Sequence, residues 1–141
     1  MFRPLAILRA LGWFLVVLAA TMAVPVLWGL AWQTGGWMPL VHGAVVTALA
    51  GGALAAVGRR APRELGQREA LLLVVLVWFA AGAFGGLPFL FSPHYAGFTD
   101  AFFEAASGFT TTGATILADV EVLPAPIQFW RCFTHWIGGM G

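Results

Sequence analysis

The sequence predicts an all-α membrane protein. Three observations carry the prediction: the chain is mostly apolar, its few charges are bunched, and the uncharged stretches between them are long enough for helices to cross a bilayer. Of 141 residues, 60% are hydrophobic and 9% are charged, with no lysine, and the mean hydropathy is +0.88. A water-soluble domain of this size has no interior large enough to hide that composition. Seven basic residues against six carboxylates leave a formal charge of +1, so no basic surface is offered and no nucleic-acid partner is expected. The single cysteine, Cys132, cannot close a disulfide within the chain, and too few Cys and His residues are present for a soft-metal cluster.

The charges divide the chain into elements. After Arg3 and Arg9 no charged residue appears until Arg59, and the only polar break between them is Gln33-Thr34-Gly35-Gly36. Residues 11–32 and 37–58 each supply enough apolar chain for a hydrocarbon core of about 30 Å at about 1.5 Å per residue. They read as a transmembrane hairpin, so residues 1–58 form the first unit. The first apolar run is too long for a signal-peptide core, and no small-x-small cleavage site precedes Pro25. Pro25 and Pro88 are expected to kink or end their helices, and Gly51, Gly52, Gly82, Gly85 and Gly86 to let helices approach closely. His42, one turn into the second span, reads as a structural histidine before a proton relay.

Residues 59–69, with Arg59, Arg60, Arg63 and Arg68, form the one dense charge run. Arginine-rich short loops stay cytoplasmic, which places the N-terminus inside and the 33–36 turn outside, where Trp28, Trp32 and Trp37 would sit at the interface. A third span follows over residues 70–91. Ser92-Pro93-His94-Tyr95-Ala96-Gly97 then reads as an outer loop, with Thr99-Asp100 as the cap of a short helix over residues 100–108. About nine residues span roughly 13 Å, less than half the hydrocarbon core, so this helix is expected to enter and stop midway.

The polar stretch Thr110-Thr111-Thr112-Gly113-Ala114 follows where that half-helix would end. Irregular backbone survives at such depth only when it is buried in protein or lines water. Carbonyl and hydroxyl oxygens are neutral, hard ligands able to replace the water shell of an alkali cation. Gly113 can adopt positive φ, and the half-helix turns the negative end of its dipole to this loop, favouring cations. Span, half-helix, polar loop and the start of another helix over residues 126–141 make a membrane-pore-membrane repeat, so the loop reads as an ion filter. Glu104, Ser107 and Arg131 are the residues expected to support it, with His135, one turn beyond Arg131, as a further anchor. Asp119 and Glu121 read as solvated carboxylates. Asp100, Glu104 and His135 offer acid-base groups without a nucleophile or oxyanion arrangement, and no enzymatic activity is expected.

The run from Asp100 through Phe103-Glu104, Ser107-Gly108-Phe109, Thr110-Thr111-Thr112-Gly113-Ala114-Thr115, then Leu123-Pro124, Phe129-Trp130-Arg131 and Trp136-Ile137-Gly138-Gly139-Met140-Gly141, resembles the Trk/Ktr potassium-uptake family, specifically its TrkH-type membrane subunit. Thr21-Met22, the Arg63-Glu64 and Arg68-Glu69 loop, and Leu87-Pro88-Phe89 extend the likeness over nearly the whole chain. The resemblance implies a potassium-channel-like fold: the N-terminal hairpin plus the first of four membrane-pore-membrane repeats, residues 70–141. It implies potassium at Thr111 and Thr112, Gly113 as the filter glycine, and no cofactor beyond the transported ion. It also implies a multi-pass protein of the bacterial inner membrane in contact with lipid, a cytoplasmic nucleotide-binding regulatory subunit of the TrkA type, and a homodimer. Family members are several times longer, so the chain reads as an N-terminal fragment carrying one quarter of the filter. The competing expectation is a membrane assembly fragment that conducts nothing.

Overall fold

A computed structural model describes residues 4–62 and 64–140. Arg3, Arg63 and Gly141, used above for charge placement and motif, lie outside the described residues. All the regular structure among the described residues is helical: α1 Pro4–Ala31, α2 Met38–Val57, α3 Gln67–Gly85, the one-turn α4 Leu87–Leu90, α5 Phe98–Phe109 and α6 Ala125–Met140. Three stretches are long and apolar enough to cross a membrane: Pro4–Ala31, Met38–Val57 and Gln67–Leu90.

α1 and α2 pair as the expected hairpin. The chain reverses where Gln33 and Gly36 take left-handed φ of 53° and 83°, and the Thr34 amide closes the end of α1 on the Gly29 carbonyl at 2.9 Å. The two backbones touch, because a Cβ on Gly12 would overlap Ala55 and the Gly51 carbonyl. This small-residue contact suits helices in lipid, where packing rather than water exclusion drives association.

Several boundaries differ from expectation. α1 starts seven residues earlier than residue 11 and runs through Arg9, whose Nη1 donates to the Ala61 carbonyl at 3.0 Å; the long side chain carries its charge to the loop, so it does not end the helix. Pro25 does not end α1 either, and lies fully buried. α3 begins at Gln67, so Arg68 and Glu69 belong to its first turn, with the Gly66 amide donating to Glu69 Oε2 at 2.5 Å. The third span breaks at Gly86 and resumes as α4 with Pro88 in its first turn, where the missing amide costs nothing. Gly51, Gly82, Gly85 and Gly86 meet neighbouring chain, whereas Gly52 faces open space. The loop before α5 packs partly inward: Ser92 and Tyr95 are buried, and Tyr95 packs on Phe89.

The turn between α1 and α2, the end of the third span, and the starts of α5 and α6 share one end of the molecule. Gly36 lies against Pro124, Gly29 against Pro126, and Gly86 against the Ala101 carbonyl. The arginine-bearing loop after α2 lies at the other end, where Gly58 meets Arg9.

Candidate functional site

α5 stops in the middle of the molecule. Its last residue, Phe109, borders a hollow with Val17, Leu18, Val77 and Trp78, residues at the midpoints of Pro4–Ala31 and Gln67–Leu90. Twelve residues reach about 18 Å, well short of a hydrocarbon core of about 30 Å. The helix starts at Phe98 with Gly97 as its cap, so Thr99 and Asp100 are not the cap but lie in the first turn, where a carboxylate favours the helix dipole.

The helix ends because three threonines spend their hydrogen bonds on its last turn. Thr110 Oγ1 donates back to the Ala106 carbonyl at 2.7 Å, and the amides of Thr111 and Thr112 close on the carbonyls of Gly108 and Ser107 at 2.9 Å. Such hydroxyl and amide closures satisfy the orphan carbonyls of a helix C-terminus. The chain then turns left-handed twice, at Thr111 with φ 57° and at Gly113 with φ 78°. Glycine adopts that conformation freely, but for a β-branched threonine it is a strained one that the surroundings must enforce.

Those surroundings are a bracket behind the loop. Ser107 Oγ donates to the Ala114 carbonyl at 2.6 Å. Glu104, 2% exposed, accepts on both oxygens: from Thr115 Oγ1 at 2.8 Å and from Arg131 Nε of α6 at 2.6 Å. Thr115 Oγ1 in turn accepts the Leu117 amide at 3.2 Å. A buried carboxylate is tolerated when paired and hydrogen-bonded in this way. α6 is itself fixed to the rest: Trp130, fully buried, donates Nε1 to the Gly85 carbonyl at 2.9 Å and meets Phe109 edge-on. One helical face further along, Gly138 lies so close to the Phe109 carbonyl that any side chain there would overlap it.

The front of the loop is open. Residues 110–114 are exposed, and among the described residues the carbonyls of Thr110, Thr111, Thr112 and Gly113 accept no hydrogen bond. The Thr110 and Thr112 hydroxyls lie 2.8 Å apart on the same surface. The oxygens gathered here are backbone carbonyls and threonine hydroxyls, which are neutral. They are suited to a hard monovalent cation, and the C-terminal end of α5 adds a negative dipole.

Other candidates lie apart. His135 does not anchor the loop: its Nδ1 bonds the Arg131 carbonyl one turn back at 2.8 Å. Asp119 and Glu121 are exposed, with Asp119 Oδ1 accepting the Glu121 amide. His42 is exposed, packs edge-on to Phe91 and makes no hydrogen bond among the described residues. Thr115 and Tyr95 carry no role in the sequence reading. The first could have been read from its place at the end of the threonine run; nothing in the sequence marks the second. The Tyr95 hydroxyl is buried without a partner among the described residues, and burial, then the Glu104 charge, push its pKa above the ordinary phenol value.

The chain matches the TrkH family, described as a cation transport protein, over residues 38–141. It is 39% identical over 137 residues to the Trk system potassium uptake protein TrkH of Vibrio parahaemolyticus, covering 96% of this chain and 28% of that protein. It is 41% identical over 138 residues to the Trk system potassium uptake protein TrkH of Escherichia coli K12, again covering 96% and 28%. The crystal structure of the potassium transporter TrkH from Vibrio parahaemolyticus superposes with a TM-score of 0.92 at 38% identity, over 99% of this chain and 30% of that one. The chain thus spans less than a third of the length of these relatives.

Proposed function

Because the chain belongs to the TrkH family of cation transport proteins, we propose that it works in potassium uptake across a bacterial inner membrane, with residues 110–114 forming one quarter of a selectivity filter. One observation carries this reading: four successive carbonyls, of Thr110, Thr111, Thr112 and Gly113, accept no hydrogen bond from the described residues, in an exposed loop that follows a helix ending midway along the spans. Unsatisfied carbonyls in hydrocarbon cost several kcal/mol each, and an ion that exchanges its water shell for them removes that cost.

The bonds support a division of labour. Thr111 and Thr112, with the carbonyl of Gly113, face the ion; Glu104, Ser107 and Arg131 hold the loop from behind so that it does not collapse onto its own oxygens. Neutral ligands bind a monovalent cation weakly enough for it to leave, which conduction requires. In this reading the remaining quarters come from sequence beyond these residues, and the arginine-rich end faces the cytoplasm.

The test is uptake by the full-length protein in a host lacking potassium transport. Gly113→Asp is expected to abolish growth at low potassium and rubidium uptake while protein level in the membrane stays unchanged. Unaltered uptake and unaltered potassium-over-sodium preference in that variant would refute the filter assignment.

A further inference from the structure

At the opposite end of the molecule from the start of α5, a hollow of about 190 Å3 opens between the first turns of α1 and the loop after α2. Its lining is Ala6, Arg9, Ala10, Trp13, Pro62 and Leu65. Among the described residues the Arg9 guanidinium makes one bond to protein, Nη1 to the Ala61 carbonyl at 3.0 Å. That bond holds one edge of the planar group, and its other donors bond to none of the described residues. Arg59 and Arg60, both exposed, directly precede Ala61. Among the described residues no carboxylate pairs with Arg9, Arg59, Arg60 or Arg68.

We infer that this hollow binds the phosphate of an anionic membrane lipid, with Arg9 as its direct ligand and Arg59 and Arg60 as supporting charge. Orientation of the helices in the membrane would ask only for positive charge at this end; it asks for neither a concavity nor a guanidinium held by backbone. The hollow is too large for a single water, whose share of liquid volume is about 30 Å3, and has room for a phosphodiester. A lipid is favoured over a soluble anion because most of the wall is apolar. Trp13, 57% exposed, stands one turn deeper along α1 than Arg9, with an amphipathic ring of the kind that lies at headgroup level. Basic pockets between helices at a membrane surface are suited to such headgroups.

The test uses the intact protein in detergent, titrated with phosphatidylglycerol, phosphatidylcholine or inorganic phosphate, with bound molecules counted by native mass spectrometry. Phosphatidylglycerol is expected to be retained in preference to phosphatidylcholine. Arg9→Gln is expected to weaken that retention about fivefold, as for loss of one arginine at an anionic surface. Leu65→Trp, which fills the hollow without removing charge, is expected to lose the lipid as well, and it decides the matter should Arg9→Gln fail to fold. Equal retention of the two lipids, or unchanged retention in both variants, overturns the site. So does weakening by Arg9→Gln alone, which is diffuse charge attraction. Inorganic phosphate held through Arg9 with no lipid retained overturns the lipid assignment, as does capture of a soluble protein by the same arginines in the absence of lipid.

Discussion

Arg131 and Glu104, 27 positions apart, meet in an ion pair of 2.6 Å that ties α6 to α5, with the Arg131 side chain 13% exposed and that of Glu104 1%. The second oxygen of the same carboxylate holds Thr115. One buried group therefore couples α5, α6 and the far side of the threonine loop.

Removing one partner of that pair strands the other. Arg131→Gln leaves a buried carboxylate uncompensated and is expected to cost about 3–5 kcal/mol, the usual range for a broken buried pair. Glu104→Gln should cost less, because the amide oxygen still accepts from Thr115 and Arg131 retains some access to water. The double variant is expected to lose less than the sum of the two. Folded fraction on heating in detergent checks the order; three equal and small losses would show that the pair contributes little.

Gly113 separates conformation from crowding. A Cβ there would meet nothing within 4 Å, yet φ is +78°. Gly113→Ala is therefore expected to cost about 1–2 kcal/mol of local backbone strain without disturbing the packing of α5 and α6. Thermal stability should fall by no more than this strain while rubidium uptake by the full-length protein falls by a larger factor than the lost stability accounts for. An equal loss in both would mean that the glycine serves folding rather than the ion path.

Much of the architecture was legible because charge is expensive in lipid. The gap from Arg9 to Arg59 showed two helices, and the short segment read over residues 100–108, followed by its threonines, showed a helix too short to cross. What misled was treating charges as boundaries. Arg9 lies inside α1 because its side chain reaches the loop carbonyl of Ala61, and Pro25 is absorbed by the packed interior of the hairpin. Long-range bonds left no local trace: neither Trp130 to Gly85 nor Glu104 to Thr115 has a spacing that periodicity can find. Ser107, Glu104 and Arg131 were legible as polar exceptions in apolar helices; how they connect was not.

The Trp130 bond reports on the break in the third span. Trp130→Phe keeps most of the ring that packs on Phe109 but leaves the Gly85 carbonyl without its indole donor. A buried acceptor losing its partner costs about 1–3 kcal/mol, and a lower melting temperature is expected. No change on heating would mean that another group or water takes the bond.

Gly138 sets how close α6 comes to the end of α5. Because a Cβ would overlap the Phe109 carbonyl, Gly138→Ala must push the helices apart at the residue that leads into the loop. Overpacking of this kind costs about 1–3 kcal/mol. Uptake is expected to fall along with stability, unlike in Gly113→Ala, and the contrast between the two glycines is the measurement. Gly138→Ala with full uptake would show that the contact does not position the loop.

Tyr95 gives the structure an alkaline signature. Its phenol pKa is raised from the ordinary 10.0, first by burial and then by the Glu104 charge. The folded state thus keeps a proton that the unfolded state releases, so the stabilising contribution is complete below pH 10 and is lost as pH rises beyond it. The loss steepens above pH 10 toward at most about 1.4 kcal/mol per pH unit. Tyr95→Phe removes this slope. At neutral pH it also removes a buried hydroxyl that has no partner among the described residues, so the variant should be as stable as the parent or slightly more so. Melting temperatures of both proteins from pH 8 to about pH 11.5 should start together and diverge above pH 10, the parent falling faster. Parallel curves would mean that Tyr95 ionises in the folded protein as readily as in the unfolded chain, and that water reaches its hydroxyl beside Glu104.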